Sequence, residues 1–232
     1  TKTPVECVWN VPGLEEVCLS KKGPGMNSAL KLFYGGTLTP KILPKLLLES
    51  IGEATNVELH VVGYATYSED AYIQWLREFV KKKKNIRFYG GLSRHKMLHI
   101  ADFCEASICL YGPKEKQLNF RYLAGASNKP FDAMARGLAV VVSDMPQWTD
   151  LYLGSLEEKN NSNHKGYRIS DKGYGIAINP ESRESIQAGL TWMLNNRGKL
   201  WEMGERGRQR IHDEWNYERL FQPVLDRLEE GA

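Results

Sequence analysis

The sequence predicts an α/β fold: six parallel strands in one sheet, helices on both faces, and further helices closing the chain. Three observations lead there. Six short β-rich runs start at residues 30, 57, 86, 106, 138 and 174, and intervals this long leave room for a helix between each pair, not for hairpins. The segments between them carry apolar residues at helical spacing. The run Leu138-Ala139-Val140-Val141-Val142 is apolar at every position, as expected of a central strand covered on both sides.

Taken in order, Leu30 to Tyr34 forms the first strand, and Gly35-Gly36 a turn after it. Pro44 suits the first turn of the helix that follows. After the strand Val57 to Val62, a Thr66-x-x-Glu69 capping box precedes Tyr72, Trp75, Leu76, Phe79 and Val80 at i, i+3, i+4, i+7 and i+8. The run Lys81 to Lys84 reads as the solvated end of that helix. Strands Ile86 to Tyr89 and Ala106 to Tyr111 come next. The polar stretches Gly112 to Ser127 and Gly154 to Gly173 are expected to be mobile loops, the second an insertion. They flank the central strand, Leu138 to Ser143, and precede the last, Tyr174 to Ile178. Helices are expected around Ile186, Leu190, Met193 and Leu194, around Leu200, Met203, Ile211 and Trp215, and from Tyr217 to Leu228.

Composition removes several function classes. With 42% hydrophobic and 25% charged residues over 232 positions, the chain buries its own core and is not disordered. A net charge of +3 is too weak for a nucleic-acid partner, and no apolar stretch approaches the ~20 residues of a bilayer-spanning helix. Cys7, Cys18, Cys104 and Cys109 lack CxxC spacing, which fits free thiols in a reducing compartment, the cytoplasm. The absence of an initial Met and of a leader suggests that the chain starts partway through a longer product.

Ligands of an open α/β sheet gather at the carboxyl ends of the strands, where helix N-termini offer unpaired N–H groups. Two loops there carry the right residues. In Gly35-Gly36-Thr37-Leu38-Thr39-Pro40-Lys41 the glycines let the backbone approach an anion, and Lys41 could neutralise it. In Ser127-Asn128-Lys129-Pro130-Phe131-Asp132, Ser127 or Asn128 caps a helix that sets Lys129 at its N-terminus, where dipole and side chain both favour phosphate. Asp132, one turn on, could accept hydrogen bonds from both hydroxyls of a ribose. It could equally be a simple partner of the helix dipole.

The stretch Ser127-Asn128-Lys129-Pro130-Phe131-Asp132-Ala133-Met134-Ala135-Arg136-Gly137-Leu138-Ala139-Val140-Val141 resembles the P-N-K-hydrophobic-F-E-Y-M-A-x-G-x-P-V-I signature of group 1 (family 4) glycosyltransferases. Ser143-Asp144-Met145-Pro146-Gln147-Trp148 continues it. Tyr34 to Leu38, Val61-Val62-Gly63, Gly173 to Ile176 and Met203 to Arg208 are similar to further family segments, in order, over residues 26 to 221. The resemblance implies one Rossmann-like lobe of a two-lobed GT-B enzyme, the C-terminal lobe that binds the nucleotide-sugar donor. It divides the chain into an interlobe linker (1–25), a Rossmann-like nucleotide-sugar-binding domain (26–195) and a C-terminal helical extension (196–232). The acceptor would be held by a missing N-terminal lobe, without which this piece is expected to be inactive. The full-length protein could attach peripherally to a membrane.

By the same resemblance, Gly36, Thr37, Lys41, Asn128, Lys129 and Asp132 form the donor site, no metal or other cofactor is required, and the anomeric configuration is retained. No catalytic residue is assigned. Two departures bear on this. Ala124 stands where the first of two family glutamates would be, with Asp132 at the second, and Thr37 replaces an arginine that clasps the diphosphate. Lys41 and Lys129 would then supply the positive charge. Both departures favour the alternative, a non-catalytic nucleotide-binding scaffold or regulatory lobe.

Overall fold

The computed structural model describes residues 7–19, 28–65, 71–112, 123–154, 162–164, 166–170 and 172–230. Its sheet is built from β1 (Leu30–Thr37), β2 (Val57–Tyr64), β3 (Ile86–Phe88), β4 (Ala106–Cys109), β5 (Ala139–Ser143), β6 (Ser162–His164), β7 (Tyr167–Ile169) and β8 (Gly175–Ile178), in the spatial order β3-β2-β1-β4-β5-β8-β7-β6. The six strands expected from the sequence are β1 to β5 and β8, and they pair in parallel. Among the described residues the sheet nevertheless has eight strands. β6 and β7 pair antiparallel with each other, and β7 with β8, so part of the stretch 154–173 extends the sheet where a loop was expected. The run Ser162-Asn163-His164 is too short and too polar to show strand periodicity. The other expected loop lies largely outside the described residues, as does the capping box at Thr66 and Glu69.

The helices are α1 (Lys45–Glu53), α2 (Ala71–Lys81), α3 (Arg94–Ala101), α4 (Asn128–Ala135), α5 (Pro146–Leu153), α6 (Arg183–Asn195), α7 (Arg197–Asp213) and α8 (Tyr217–Glu230). Leu47, Leu48, Ile51, Tyr72, Ile73, Leu76, Ile186 and Leu190 from α1, α2 and α6 bury one face of the sheet. Phe131, Met134, Trp148 and Tyr152 from α4 and α5 bury the other, together with Ala101 of α3. β5 serves both layers: Ala139 and Val141 point into the first, Val140 and Val142 into the second. That is why its sequence is apolar throughout. α7 runs on from α6, with Leu200, Met203 and Ile211 buried.

Residues 7–19 are fastened to this body. Trp9 packs against Phe131 and Trp215, with ring centroids 5.9 and 5.5 Å away. The Cys18 amide donates to the Ala135 carbonyl at 2.9 Å, and the Tyr217 amide to the Pro12 carbonyl at 3.0 Å. α8 has no buried residue, and Tyr217, Leu225 and Leu228 stand exposed on it. No helix among the described residues is long and apolar enough to cross a membrane.

All four cysteines are thiols. Cys104 and Cys109 are fully buried, and burial pushes the Cys109 thiol up to about 12, so it carries almost no thiolate at neutral pH. A thiol reagent at pH 7.5 should label Cys7 first and leave Cys104 and Cys109 unmodified until the chain is unfolded. Rapid labelling of four thiols in the native protein would contradict this core.

Candidate donor site

The strand order places the chain's reversal between β1 and β4. From β1 the chain moves outward through β2 to β3, then crosses back to β4 and continues through β5 to β8. In an open α/β sheet the crevice above such a reversal is where ligands bind. The ends of β1 and β4 and the N-terminus of α4 therefore define the site.

Gly36, at the end of β1, has φ +138°, and a Cβ there would lie 2.6 Å from the Lys129 Cε. Only glycine combines that backbone with room for the lysine stem across the strand end. β2 approaches equally closely: a Cβ on Gly63 would run into the Gly36 carbonyl oxygen. Lys129 Nζ lies 3.3 Å from the Tyr111 hydroxyl and 5.2 Å over the Tyr111 ring. Tyr111 is itself fixed. Its amide donates to Ser143 Oγ at 2.8 Å, the Ser143 hydroxyl donates to the Tyr111 carbonyl at 2.6 Å, and its ring packs on Trp148 at 4.8 Å.

Ser127 is the N-cap of α4, but its side chain makes no capping bond; its hydroxyl lies 3.0 Å from the Tyr111 hydroxyl. α4 therefore starts without a side-chain cap, with the dipole's positive end and Lys129 together at its first turn, where Pro130 has no N–H to offer. Asn128 is exposed at the same helix start. Lys41 is exposed, and its carbonyl accepts from the Gly112 amide at 3.0 Å, which ties the β1–α1 loop to the chain leaving β4. The Thr37 carbonyl accepts from the Tyr34 hydroxyl, a bond that shapes the strand end. The structure therefore gathers Gly36, Lys129 and the start of α4 closely, with Lys41 and Thr37 on the rim.

Asp132 lies one turn deeper and is 9% exposed. Both carboxylate oxygens accept from Arg94, Oδ1 from Nη2 at 2.8 Å and Oδ2 from Nη1 at 3.0 Å. Burial raises its pKa above the ordinary aspartate value, and Arg94 works against that rise. The same guanidinium grips Glu16 through Nε and Nη2 and holds that carboxyl below its usual range. Ala124 is 5% exposed, packed among core residues, with its carbonyl accepting from the Tyr152 hydroxyl at 2.7 Å.

Tyr111, Arg94 and Glu16 join the arrangement beyond the site residues expected from the sequence. Tyr111 could have been found by the rule that selected the other loops, since it follows β4 at the switch point. Arg94 could not, because its carboxylate partners are 78 and 38 positions away in the chain.

Neither a protein-family model nor a curated protein matches the sequence. Solved structures do match in fold. HepE of Anabaena, solved with UDP and glucose, aligns at 14% identity with a TM-score of 0.65, over 96% of this chain and 56% of that one. TarM of S. aureus, in a mutant form solved with fondaparinux, alpha-GlcNAc-glycerol and UDP, aligns at 14% identity and a TM-score of 0.57, over 88% and 36%. The C-terminal domain of the group 1 glycosyl transferase LpcC from Francisella tularensis aligns at 15% identity and a TM-score of 0.55, over 82% and 88%. The chain spans just over half the length of HepE. Its fold is the Rossmann-like α/β fold of one lobe in these GT-B glycosyltransferases.

Proposed function

We propose that this chain is the donor-binding lobe of a retaining glycosyltransferase that moves a sugar from a nucleoside diphosphate sugar to an acceptor hydroxyl. The observation that carries the reading is Lys129, held across Gly36 beside the first amides of α4 at the sheet's switch point. A diphosphate seated there meets a cation, a helix N-terminus and glycine backbone together. Asp132, one turn on, faces the ribose.

In the transfer, the bond between the anomeric carbon and the diphosphate oxygen breaks and its electron pair leaves with the diphosphate. The acceptor oxygen bonds to the anomeric carbon from the same face, and the acceptor proton is released. Lys129, Lys41 and the α4 amides offset the charge that develops on the leaving group, with no divalent metal required. A second lobe would present the acceptor and cover the exposed apolar side of α8. HepE and TarM, which share the fold, were solved with UDP. A non-catalytic nucleotide-binding lobe remains the second reading, favoured by the burial of Ala124 in the core at the first acid's position.

Calorimetry with UDP, GDP and ADP in the presence of a chelator tests the donor site. Saturable binding to one of them is expected, and Lys129→Ala should weaken that diphosphate roughly tenfold or more while leaving the much weaker nucleoside binding nearly unchanged. No binding to any of the three would sink the proposal. Assays of sugar transfer by this chain and by the full-length protein separate the two readings: transfer confined to the full-length protein fits a donor lobe, and its absence from both fits a scaffold.

A further inference from the structure

Arg94 is the first residue of α3 and reaches two carboxylates at once. One edge of its guanidinium forks onto Asp132; the other forks onto Glu16, with Nη2 2.7 Å from Oε2. A second fork runs the opposite way between the same two helices, from Arg136 at the end of α4 to Asp102 just beyond α3, at 2.6 and 2.7 Å. Arg136 Nη1 also donates to the Glu16 carbonyl at 2.8 Å. The 3-10 turn Leu14–Glu16 is thus gripped by both arginines, and Arg94 is held on every side but its solvent edge.

The carboxylate that this bracing reaches is Asp132, which the reading above sets toward the ribose. Asp132 is nearly buried, and a buried carboxylate without a cation takes up a proton and loses acceptor capacity. With a forked arginine it keeps two of its four lone-pair sites for other donors. Two is what a ribose diol requires.

Resting on the donor-site reading above, we infer that Arg94 is a positioning residue for the ribose: it fixes Asp132 as a diol acceptor from α3, while Glu16 fixes Arg94. Among the described residues, the charged and titratable groups that face Asp132 are Arg94 from α3, Glu16 from the N-terminal segment, Lys129 on α4 itself and the Cys109 thiol on β4. Removing Arg94 leaves burial and Glu16 acting together to favour the protonated acid, opposed by Lys129.

The test compares the ribo and 2′-deoxy forms of whichever diphosphate the parent binds among UDP, GDP and ADP. The parent should prefer the ribo form by roughly tenfold or more. In Arg94→Gln that preference should fall toward unity, and the residual ribo affinity should fail at a higher pH than in the parent as pH is lowered from 8 to 5. Glu16→Gln should move both readings the same way by less, and it serves as the test if Arg94→Gln does not fold. Asp102→Ala, which cuts the other fork and leaves the Arg136 bond to the Glu16 carbonyl in place, should lower the melting temperature yet keep the parent's ribose preference. A folded Arg94→Gln that retains the preference and pH profile overturns the inference alone. So does an Asp102→Ala that loses the preference as fully, because loosening of the helix pair would then explain both. A parent that binds none of the diphosphates overturns the donor-site reading and the inference with it.

Discussion

Asp132→Ala should weaken binding of the nucleoside diphosphate by about 1.5–3 kcal/mol, the worth of charge-assisted hydrogen bonds to a carboxylate, while the chain stays folded. The substitution does not strand a buried cation, since Arg94 is exposed to solvent on one edge and keeps Glu16. It also removes a carboxylate whose burial carries a cost. The sign follows from the raised pKa of Asp132. The folded state holds the proton more tightly than the unfolded one, so the group's contribution is most favourable below the ordinary value of 3.8 and declines as pH rises through the folded pKa. Asp132→Asn should accordingly gain stability relative to the parent as pH rises through that window to neutrality. Titration calorimetry and melting curves from pH 3 to 7 check both parts. Undiminished affinity in a folded Asp132→Ala would make Asp132 a structural residue that joins α4 to Arg94 and nothing more.

The fold was legible in the sequence wherever periodicity and length sufficed. Val140 and Val142 face one layer and Ala139 and Val141 the other, and an unbroken apolar run is the direct trace of that arrangement. Parallel pairing followed from intervals too long for hairpins. The β6–β7 hairpin was hidden because its first strand is three polar residues, with nothing apolar to alternate.

The site was legible in part, for a related reason. Gly36 and Lys129 announce themselves by residue type and by position at strand and helix ends. Their meeting across the sheet, with the lysine stem filling the space a Cβ would take, is a tertiary fact. The pairing of Asp132 with Arg94 is less visible still: an arginine at the start of a surface helix is ordinary, and only the fold, which brings the start of α3 beside α4, turns it toward a carboxylate.

Trp148→Ala should have the largest effect on stability, about 3–5 kcal/mol by the usual cost of emptying a fully buried aromatic site, or roughly 6–20 °C in melting temperature for a chain of this size. Trp148 is wholly buried on α5, with its ring 4.8 Å from that of Tyr111 and 5.9 Å from that of Tyr152. The cavity left behind would open beside Tyr111 at the candidate site. Tyr111 carries Lys129 on its ring and hydroxyl, and Tyr152 holds the Ala124 carbonyl, so nucleotide affinity should fall along with stability even where the variant is still folded. Tyr111→Phe separates the two consequences. It keeps the ring that packs on Trp148 and deletes the hydroxyl that meets Ser127 and Lys129, and should weaken nucleotide binding with a loss of stability of about 1 kcal/mol. Thermal melts and calorimetry on the two variants give the comparison. If Trp148→Ala melts within a few degrees of the parent, the packing of α5 beneath the switch point does not support the site, and Tyr111 must take its orientation from the Ser143 bonds alone.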